Sequence, residues 1–271
     1  MTKSHFLRIC SLLLLCMTNL CMTSVKADVV EITSAGSLSS LLPETATEVT
    51  IKGPINGTDV KYLRHLINDM SLTSMDMTET RFVAGGEAYV VQNGEDQKLD
   101  RDDVMSNHMF DNCTNLRSVR LSKYVNELWW AVFASTGISE IDVPDNIKTM
   151  DWVDFGYCPN LTKVTLGKGL TRLMNSVFYN SPVAEVYVKT MTPPDLSDNT
   201  FTSNPTIHVY KELKEAYEKS RWAEFGTIVG DLENYFPEEK DPALEQGALM
   251  KEVFADESCT TLNATYQSMS D

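Results

Sequence analysis

The chain has 271 residues, 42% of them hydrophobic and 23% charged, and 38 acidic against 23 basic side chains give it a formal net charge of −15. This length allows one or two domains. The acidic balance, without a basic stripe along the sequence, argues against a protein that binds nucleic acid or anionic lipid surfaces.

The first 27 residues have the pattern of an export signal. Two basic residues precede an apolar run over residues 9–22, and residues 25–27 offer a small residue for cleavage. A membrane anchor is the alternative, but the run is short for a span of about 20 residues. A lipid anchor at Cys16 or Cys21 is a further alternative, disfavoured by the bulky leucine before each cysteine. We therefore predict a signal peptide over residues 1–27 and a secreted or cell-surface chain with no membrane span in its mature part.

The next stretch, residues 28–103, is interpreted as an N-terminal capping region with irregular repeats. Short strands are expected at residues 29–32, 46–51 and 72–77. A helix is expected over residues 60–68, with Asp59 as its N-cap. The segment 85–103 is rich in glycine and aspartate and is expected to be a surface loop.

A phenylalanine recurs every 22 or 23 residues through the middle of the chain. The five positions are Phe110, Phe133, Phe155, Phe178 and Phe201. A small or polar residue stands three positions after each phenylalanine: Cys113, Thr136, Cys158, Ser181 and Asn204. An apolar triplet then follows, first at Leu116, Val119 and Leu121, and another apolar residue stands five positions before each phenylalanine. A period of 20–29 residues with this L-x-x-L-x-L pattern is typical of leucine-rich repeats.

These repeats predict an α+β solenoid with one short strand per 22–23-residue repeat. The repeats occupy residues 104–209, and each phenylalanine folds back into the core because a single repeat cannot bury its own apolar face. Residues 210–230 are expected to form a helical C-terminal cap. Residues 231–271 are expected to be an acidic linker followed by a short helical tail, with helices at 243–254 and 258–268.

The repeat phrases over residues 110–121 and 155–166 resemble the BspA-type leucine-rich repeat of secreted and surface proteins of Bacteroidetes. The resemblance covers most of residues 28–230, and the sequence departs from it at Thr136 and Ser181, which stand where the repeat usually has cysteine. The resemblance implies adhesion to host or microbial macromolecules and provides no catalytic residues. Since the tail weakly resembles the start of a further domain, the alternative is a recognition or spacer module of a larger surface protein.

The cysteines of the repeats are predicted to be core residues. Cys113 and Cys158 occupy the same place two repeats apart. Strand layers about 4.8 Å apart put their sulfurs about 10 Å from each other, which is beyond disulfide reach. Three further cysteines belong to the signal peptide, and Cys259 lies in the tail.

Two tryptophans share one position of the repeat, three residues before the phenylalanine. The occupants of this position are Asn107, Trp130, Trp152, Asn175 and Asp198. Since the other occupants are polar, we expect an outward turn, with Trp129 beside the pair. Contiguous exposed aromatic residues indicate a binding surface. The alternative is that the tryptophans fill the core.

The outward side chains of the predicted strands form a second candidate site. One row is Ser118, Glu140, Lys163 and Glu185, and the neighbouring row is Arg120, Asp142, Thr165, Tyr187 and His208. A protein partner could dock on these rows. The alternative is a solvated surface whose opposite charges pair across the strands.

Catalysis has little support in the sequence. The four histidines are scattered, and no nucleophile, phosphate-binding or metalloprotease motif is present. We therefore predict no enzyme, no catalytic residues, no metal and no cofactor, and a protein or other macromolecule as the partner. An enzyme with an unrecognised site remains a minor alternative.

Overall fold

A computed structural model describes residues 28–237 of the chain. The predicted signal peptide, Cys259 and the two predicted tail helices lie outside the described residues. The strands are β1 (Asp28–Glu31), β2 (Glu48–Ile55), β3 (Ser74–Phe82), β4 (Gly85–Gln92), β5 (Glu95–Leu99), β6 (Val104–Met105), β7 (Ser118–Arg120), β8 (Glu127–Leu128), β9 (Glu140–Val143), β10 (Thr149–Met150), β11 (Lys163–Leu166), β12 (Arg172–Leu173), β13 (Glu185–Val188), β14 (Asp195–Leu196), β15 (Thr206–Val209) and β16 (Thr227–Gly230). The α-helices are α1 (Gly57–Asp69) and α2 (Lys214–Glu218), and 3-10 turns lie at Leu38–Ser40, Lys211–Leu213, Arg221–Glu224 and Leu232–Asn234.

The longer strands form two parallel sheets that follow the repeat. Their orders are β1-β2-β3-β7 and β9-β11-β13-β15-β16. In the second sheet the buried residues at the centres of neighbouring strands pair directly, so that Ile141 is opposite Val164 and Val164 opposite Val186. A repeat of constant length puts the same apolar position of each strand on the core side, which fixes the register.

A second strand in each repeat corrects the prediction of one strand per repeat. The two-residue strands β6, β8, β10, β12 and β14 form their own parallel sheet. Their second residues pair from turn to turn and are buried: Met105, Leu128, Met150, Leu173 and Leu196. The sequence shows these apolar residues, but two residues are too few to display the alternation by which a strand is recognised.

The five repeat phenylalanines stack in the core. All are at most 5% exposed, and their ring centroids are 5.5, 5.4, 5.8 and 5.0 Å apart along the stack. The indole of Trp222 lies 6.2 Å from the Phe201 ring at the end of the stack, and its Nε1 donates to the Pro194 carbonyl at 2.8 Å. Trp222 therefore covers the last ring of the series.

The segment after the last repeat contains a strand as well as helical turns. Where the sequence predicts a helical cap over residues 210–230, β16 pairs in parallel with β15 and extends the sheet by one strand. Helix α2 has only five residues. Buried Tyr217 and Trp222 connect this segment to the core.

Two predictions for the N-terminal region are corrected. Helix α1 begins three residues earlier than predicted, because Asn56 is the N-cap and Asp59 is the third helical residue of a capping box. The Asp59 carboxylate also accepts hydrogen bonds from the backbone of Gly36 and Leu38, at 2.6 and 2.9 Å. The segment predicted as a surface loop contains the antiparallel pair β4–β5, whose turn has left-handed Asn93 followed by Gly94.

A buried ion pair connects helix α1 to the first repeat. The Arg64 guanidinium donates to an Asp111 carboxylate oxygen and to the carbonyls of His108 and Met109, each at 3.1 Å. The second Asp111 oxygen lies 3.1 Å from His108 Nδ1. The side chains of Arg64 and Asp111 are only 10% and 3% exposed, so the pair acts in a low-dielectric environment.

Candidate binding surface

The outward face of β7, β9 and β11 carries an open groove of about 590 Å³. These parallel strands place alternate side chains on one face, so their polar residues converge there. The groove is lined by Arg120, Lys123, Glu140, Asp142, Lys163 and Phe236, among others. Arg120 and Asp142, both predicted site residues, are exposed here. The groove therefore presents charges of both signs to solvent.

One wall of the groove has a fixed charge pair. Lys123 Nζ donates to Glu79 Oε1 at 2.6 Å, and this hydrogen bond raises the pKa of Lys123 and lowers the pKa of Glu79. The Arg81 guanidinium lies over the Tyr124 ring at 4.0 Å, next to the pair. Since Arg81 also pairs with Asp103 at 2.6 Å, the cations at this edge of the groove are held in place by acids of the same chain.

The other half of the strand face is covered, contrary to the prediction. Tyr187 and His208 are expected to face solvent, but they are 7% and 5% exposed. Residues 231–237, predicted to begin an acidic linker, fold back over them, and the Tyr235 ring centroid lies 4.8 Å from that of Tyr187 and 5.0 Å from that of His208. Burial raises the pKa of the Tyr187 phenol, and the neighbouring Tyr235, Glu185 and Asp231 add to this effect. The prediction followed from the acidic residues and the proline of this segment. Its apolar residues, Leu232, Tyr235 and Phe236, are too few to show a period, so their packing was not predicted.

The repeat tryptophans lie on the surface. Trp130 and Trp152 are 46% and 48% exposed, so the structure does not place them in the core. The amide of Ala131 donates to the Trp152 carbonyl at 2.8 Å, which puts the two positions on adjacent turns. Trp129 is half-buried, donates from Nε1 to Glu127 Oε2 at 2.9 Å and lies under the Arg101 guanidinium at 5.2 Å. We call Trp129, Trp130 and Trp152 the tryptophan ledge.

A small groove adjoins the tryptophan ledge. It has a volume of about 190 Å³ and is lined by Trp129 together with Glu127, Asp151, Arg172 and Met174. The outward residues of β8, β10 and β12 form its floor. Polar and aromatic groups thus occur together on this second face, away from the larger groove.

Left-handed backbone turns hold the two exposed tryptophans outward. The residue after each of them, Ala131 or Val153, has a φ of 57° or 61°. The same position of the other turns is occupied by His108, Ser176 and Asn199, with φ between 56° and 65°. Positive φ is uncommon outside glycine and asparagine, and for a β-branched residue such as Val153 it is an outlier. The sequence contained no signal for this feature, because the five occupants share no residue type.

A buried carboxyl group, which the sequence analysis did not identify, accepts hydrogen bonds from the backbone next to Trp130 and Trp152. Asp154 is fully buried, and its oxygens accept from the backbone of Asp151 at 2.7 Å and Val132 at 3.3 Å. Burial raises the pKa of Asp154 well above its ordinary value, and the backbone donors oppose this only in part. The sequence does contain one sign of this group. The residue directly before the repeat phenylalanine is valine in the two adjacent repeats, Val132 and Val177, but aspartate at position 154.

The cysteines of the repeats lie in the core. Cys113 and Cys158 are free and fully buried. Burial raises the pKa of the Cys113 thiol to about 11 and raises that of Cys158 as well, which disfavours the reactive thiolate. The hydroxyl of Thr136 lies 3.3 Å from Cys158 Sγ, and Ser181 Oγ donates to the Phe155 carbonyl at 2.7 Å.

Within residues 28–237, no group of three or more histidine, cysteine or acidic side chains is arranged to hold a metal ion. Among the helices of the same residues, none has the length and hydrophobicity that a membrane crossing requires.

Comparison with known proteins identifies a repeat family. Residues 103–208 match the family model of the BspA type leucine rich repeat region in six copies. The match supports this repeat family for the central part of the chain. Leucine-rich repeats generally mediate protein–protein interaction, and the family is typically non-enzymatic. The curated proteins contain no match to the chain.

Proposed function

We propose that the chain is a binding protein that recognises another protein through the open groove on β7, β9 and β11. In this proposal residues 104–209 form one solenoid, which the N-terminal region 28–103 and the segment 210–230 cover at its two ends. The observation that carries the proposal is a charged groove that residues 28–237 leave open on the strand face. The repeats match a family that generally mediates protein–protein interaction.

The charges of the groove support a specific partner. Three cations, Arg120, Lys123 and Lys163, stand beside two acids, Glu140 and Asp142. Charges of both signs at fixed places select a complementary partner and repel others. A groove of this kind is suited to a protein surface or an extended segment that carries both carboxylates and cations.

Export and adhesion belong to the same proposal. The predicted signal peptide supports a secreted or cell-surface location, where the partner is a host or microbial macromolecule. The alternative is that the chain is a recognition module of a larger surface protein whose activity lies in another part.

Charge reversal in the groove tests the proposal. The full chain is used to capture surface proteins from host cells and bacteria, and the captured protein is then titrated against variants. R120E/K163E is expected to weaken its binding at least about tenfold. K168E is the matched control, since Lys168 is exposed but does not line the groove. Equal binding by wild type, R120E/K163E and K168E contradicts the proposal.

The tryptophan ledge is a second candidate surface, favoured by the exposure of Trp130 and Trp152. Tryptophan is among the residues that dominate interface energies. We expect W130A/W152A to fold normally, as measured by circular dichroism, and to weaken capture if the ligand spans this face. Unchanged binding to every captured protein rules out the ledge.

A further inference from the structure

Residues 231–237, which we call the strap, form an ordered contact with the strand face. Leu232 is fully buried and packs with Tyr187 and Tyr210 in an apolar cluster separate from the main core. The Asp231 amide donates to the Val209 carbonyl at 3.1 Å, and Glu233 Oε1 accepts from the Lys211 amide at 3.0 Å. The strap is therefore seated on the face by both apolar and polar contacts.

The strap places a carboxylate against an imidazole on the sheet. His208 Nδ1 lies 2.7 Å from Asp231 Oδ1, and His208 Nε2 lies 2.6 Å from Glu185 Oε2, so each ring nitrogen is within hydrogen-bond distance of a carboxylate. A hydrogen bond to a carboxylate is stronger than one between neutral groups, so this contact fixes the start of the strap.

Two aromatic rings of the strap occupy the rest of the covered face. Tyr187 and His208 stack with their ring centroids 4.6 Å apart, and the Tyr235 ring stands edge-on to both. Lys189 Nζ lies 4.2 Å over the Phe236 ring. The face thus has one position for a carboxylate, one for an edge-on ring and one for a ring under a cation.

The covered face and the open groove are one surface. Phe236 packs against Tyr187 at 6.0 Å between ring centroids, and it also lines the groove next to Lys163. The Lys163 ammonium lies 5.4 Å over the Tyr187 ring, which connects the two halves. A ligand that extends along the groove from β7 therefore meets the strap at Phe236.

We propose that the strap is an intramolecular occupant of the binding face, and that the partner binds through a peptide segment of the same chemistry. That segment has a carboxylate followed four and five positions later by two aromatic residues, as in Asp231, Tyr235 and Phe236. It displaces the strap and continues into the groove. The inference deepens the proposed function and rests on it.

The tether explains why the strap competes with a partner. A segment joined to its site by a short connection has an effective concentration in the millimolar range. A free peptide with the same contacts therefore binds the wild-type chain weakly. Variants that weaken the strap remove this competition and increase the apparent affinity for the free peptide.

The experiment uses the full chain and a synthetic peptide with the sequence of residues 229–238, titrated by NMR. Y235A/F236A is expected to bind this peptide at least about tenfold more tightly than the wild type. D231N, which weakens only the contact with His208, is expected to have a smaller effect in the same direction. D231N also keeps the test decisive if Y235A/F236A does not fold. A peptide in which both aromatic residues are replaced by alanine is the control and is expected not to bind.

The place of binding is checked in the Y235A/F236A background, where H208Q is expected to weaken peptide binding and K168E to leave it unchanged. The proposal is overturned if neither strap variant binds more tightly than the wild type, or if H208Q has no effect. If the peptide binds no more tightly to the strap variants than to the wild type, while R120E/K163E still weakens capture of a protein, the strap proposal is wrong and the proposed function stands.

Discussion

Single residues carry strain that the repeat imposes on them. In each turn the residue two positions before the phenylalanine is left-handed, and the sequence fills this place with His108, Ala131, Val153, Ser176 and Asn199. Asparagine tolerates this conformation better than other non-glycine residues, because its side chain can bond to the local backbone. Valine is the least suited of the five, so Val153 is where a substitution has most to gain.

We expect V153N to increase the free energy of unfolding by roughly 1 kcal/mol, since left-handed backbone costs an ordinary residue about 1–2 kcal/mol. Urea unfolding followed by circular dichroism measures the change. V153T is the control, because it keeps the β-branch and is expected to bring no gain. If V153N is no more stable than V153T, the strain at this position is not what limits stability.

The buried carboxyl group of Asp154 makes stability depend on pH. The pKa of Asp154 is raised in the folded chain. The protonated group therefore makes its whole contribution to the free energy of unfolding below the pKa of the unfolded chain, about 3.9. That contribution is lost as the pH rises through the folded value. We expect the free energy of unfolding of the wild type to decrease with pH above about 4, and D154N, an isostere of the protonated acid, to reduce this decrease.

Urea titrations at several pH values between 4 and 7 measure the difference. D195N serves as the control for the loss of one exposed carboxylate, because Asp195 is exposed on β14. An identical pH profile for D154N and wild type contradicts the role of Asp154.

At the scale of elements, the stacked phenylalanine rings and the hydrogen bonds between successive turns hold the same turns together. The Phe155 ring lies between those of Phe133 and Phe178, at 5.4 and 5.8 Å, and the Phe155 amide donates to the Val177 carbonyl of the next turn at 2.9 Å. Removing one ring therefore leaves a cavity bounded by two others.

We expect F155A to cost about 3–5 kcal/mol of stability, the range for a buried phenylalanine replaced by alanine. F155L fills most of the cavity and should cost less. Thermal and urea unfolding measure both. Wild-type stability of F155A would show that the stack does not hold the turns together.

The elements of the repeat were predictable to different degrees. The burial of the phenylalanines and the positions of the longer strands followed from a pattern that occurs five times at four nearly equal intervals, so chance agreement is small. The two-residue strands, the hairpin β4–β5 and the strap were not predicted. Their pairing partners are distant in sequence or their segments are too short for periodicity, and the strap depends on contacts that only the folded chain creates.

At the scale of the whole molecule, the N-terminal region and the repeats are joined by more than the continuous core. The Arg64–Asp111 pair is buried and bonds helix α1 to the first repeat. Its members lie 47 positions apart in the sequence, which is why the pair was not predicted. Removing one partner of a buried pair leaves an uncompensated charge in the core. The stability lost is then larger than the net stability that the intact pair provides.

We expect R64A to destabilise the chain by about 3–5 kcal/mol, measured by urea unfolding with hydrogen exchange at β2 and β3 as a local probe. K61A is the matched control on the same helix, since Lys61 pairs with Glu87 at the surface and its loss is expected to have no measurable effect. Equal stability of R64A and K61A contradicts the coupling of the two regions.

The parallel pairing of successive turns also determines how the molecule responds to force. In both sheets of the repeats the hydrogen bonds connect one turn with the next, so tension applied between the first and last strands acts on one interface at a time. Turns are then released singly, and each release of 22 or 23 residues lengthens the chain by roughly 75–80 Å. We expect a chain built in this way to lengthen in steps under tension and to reform its turns when the load is removed.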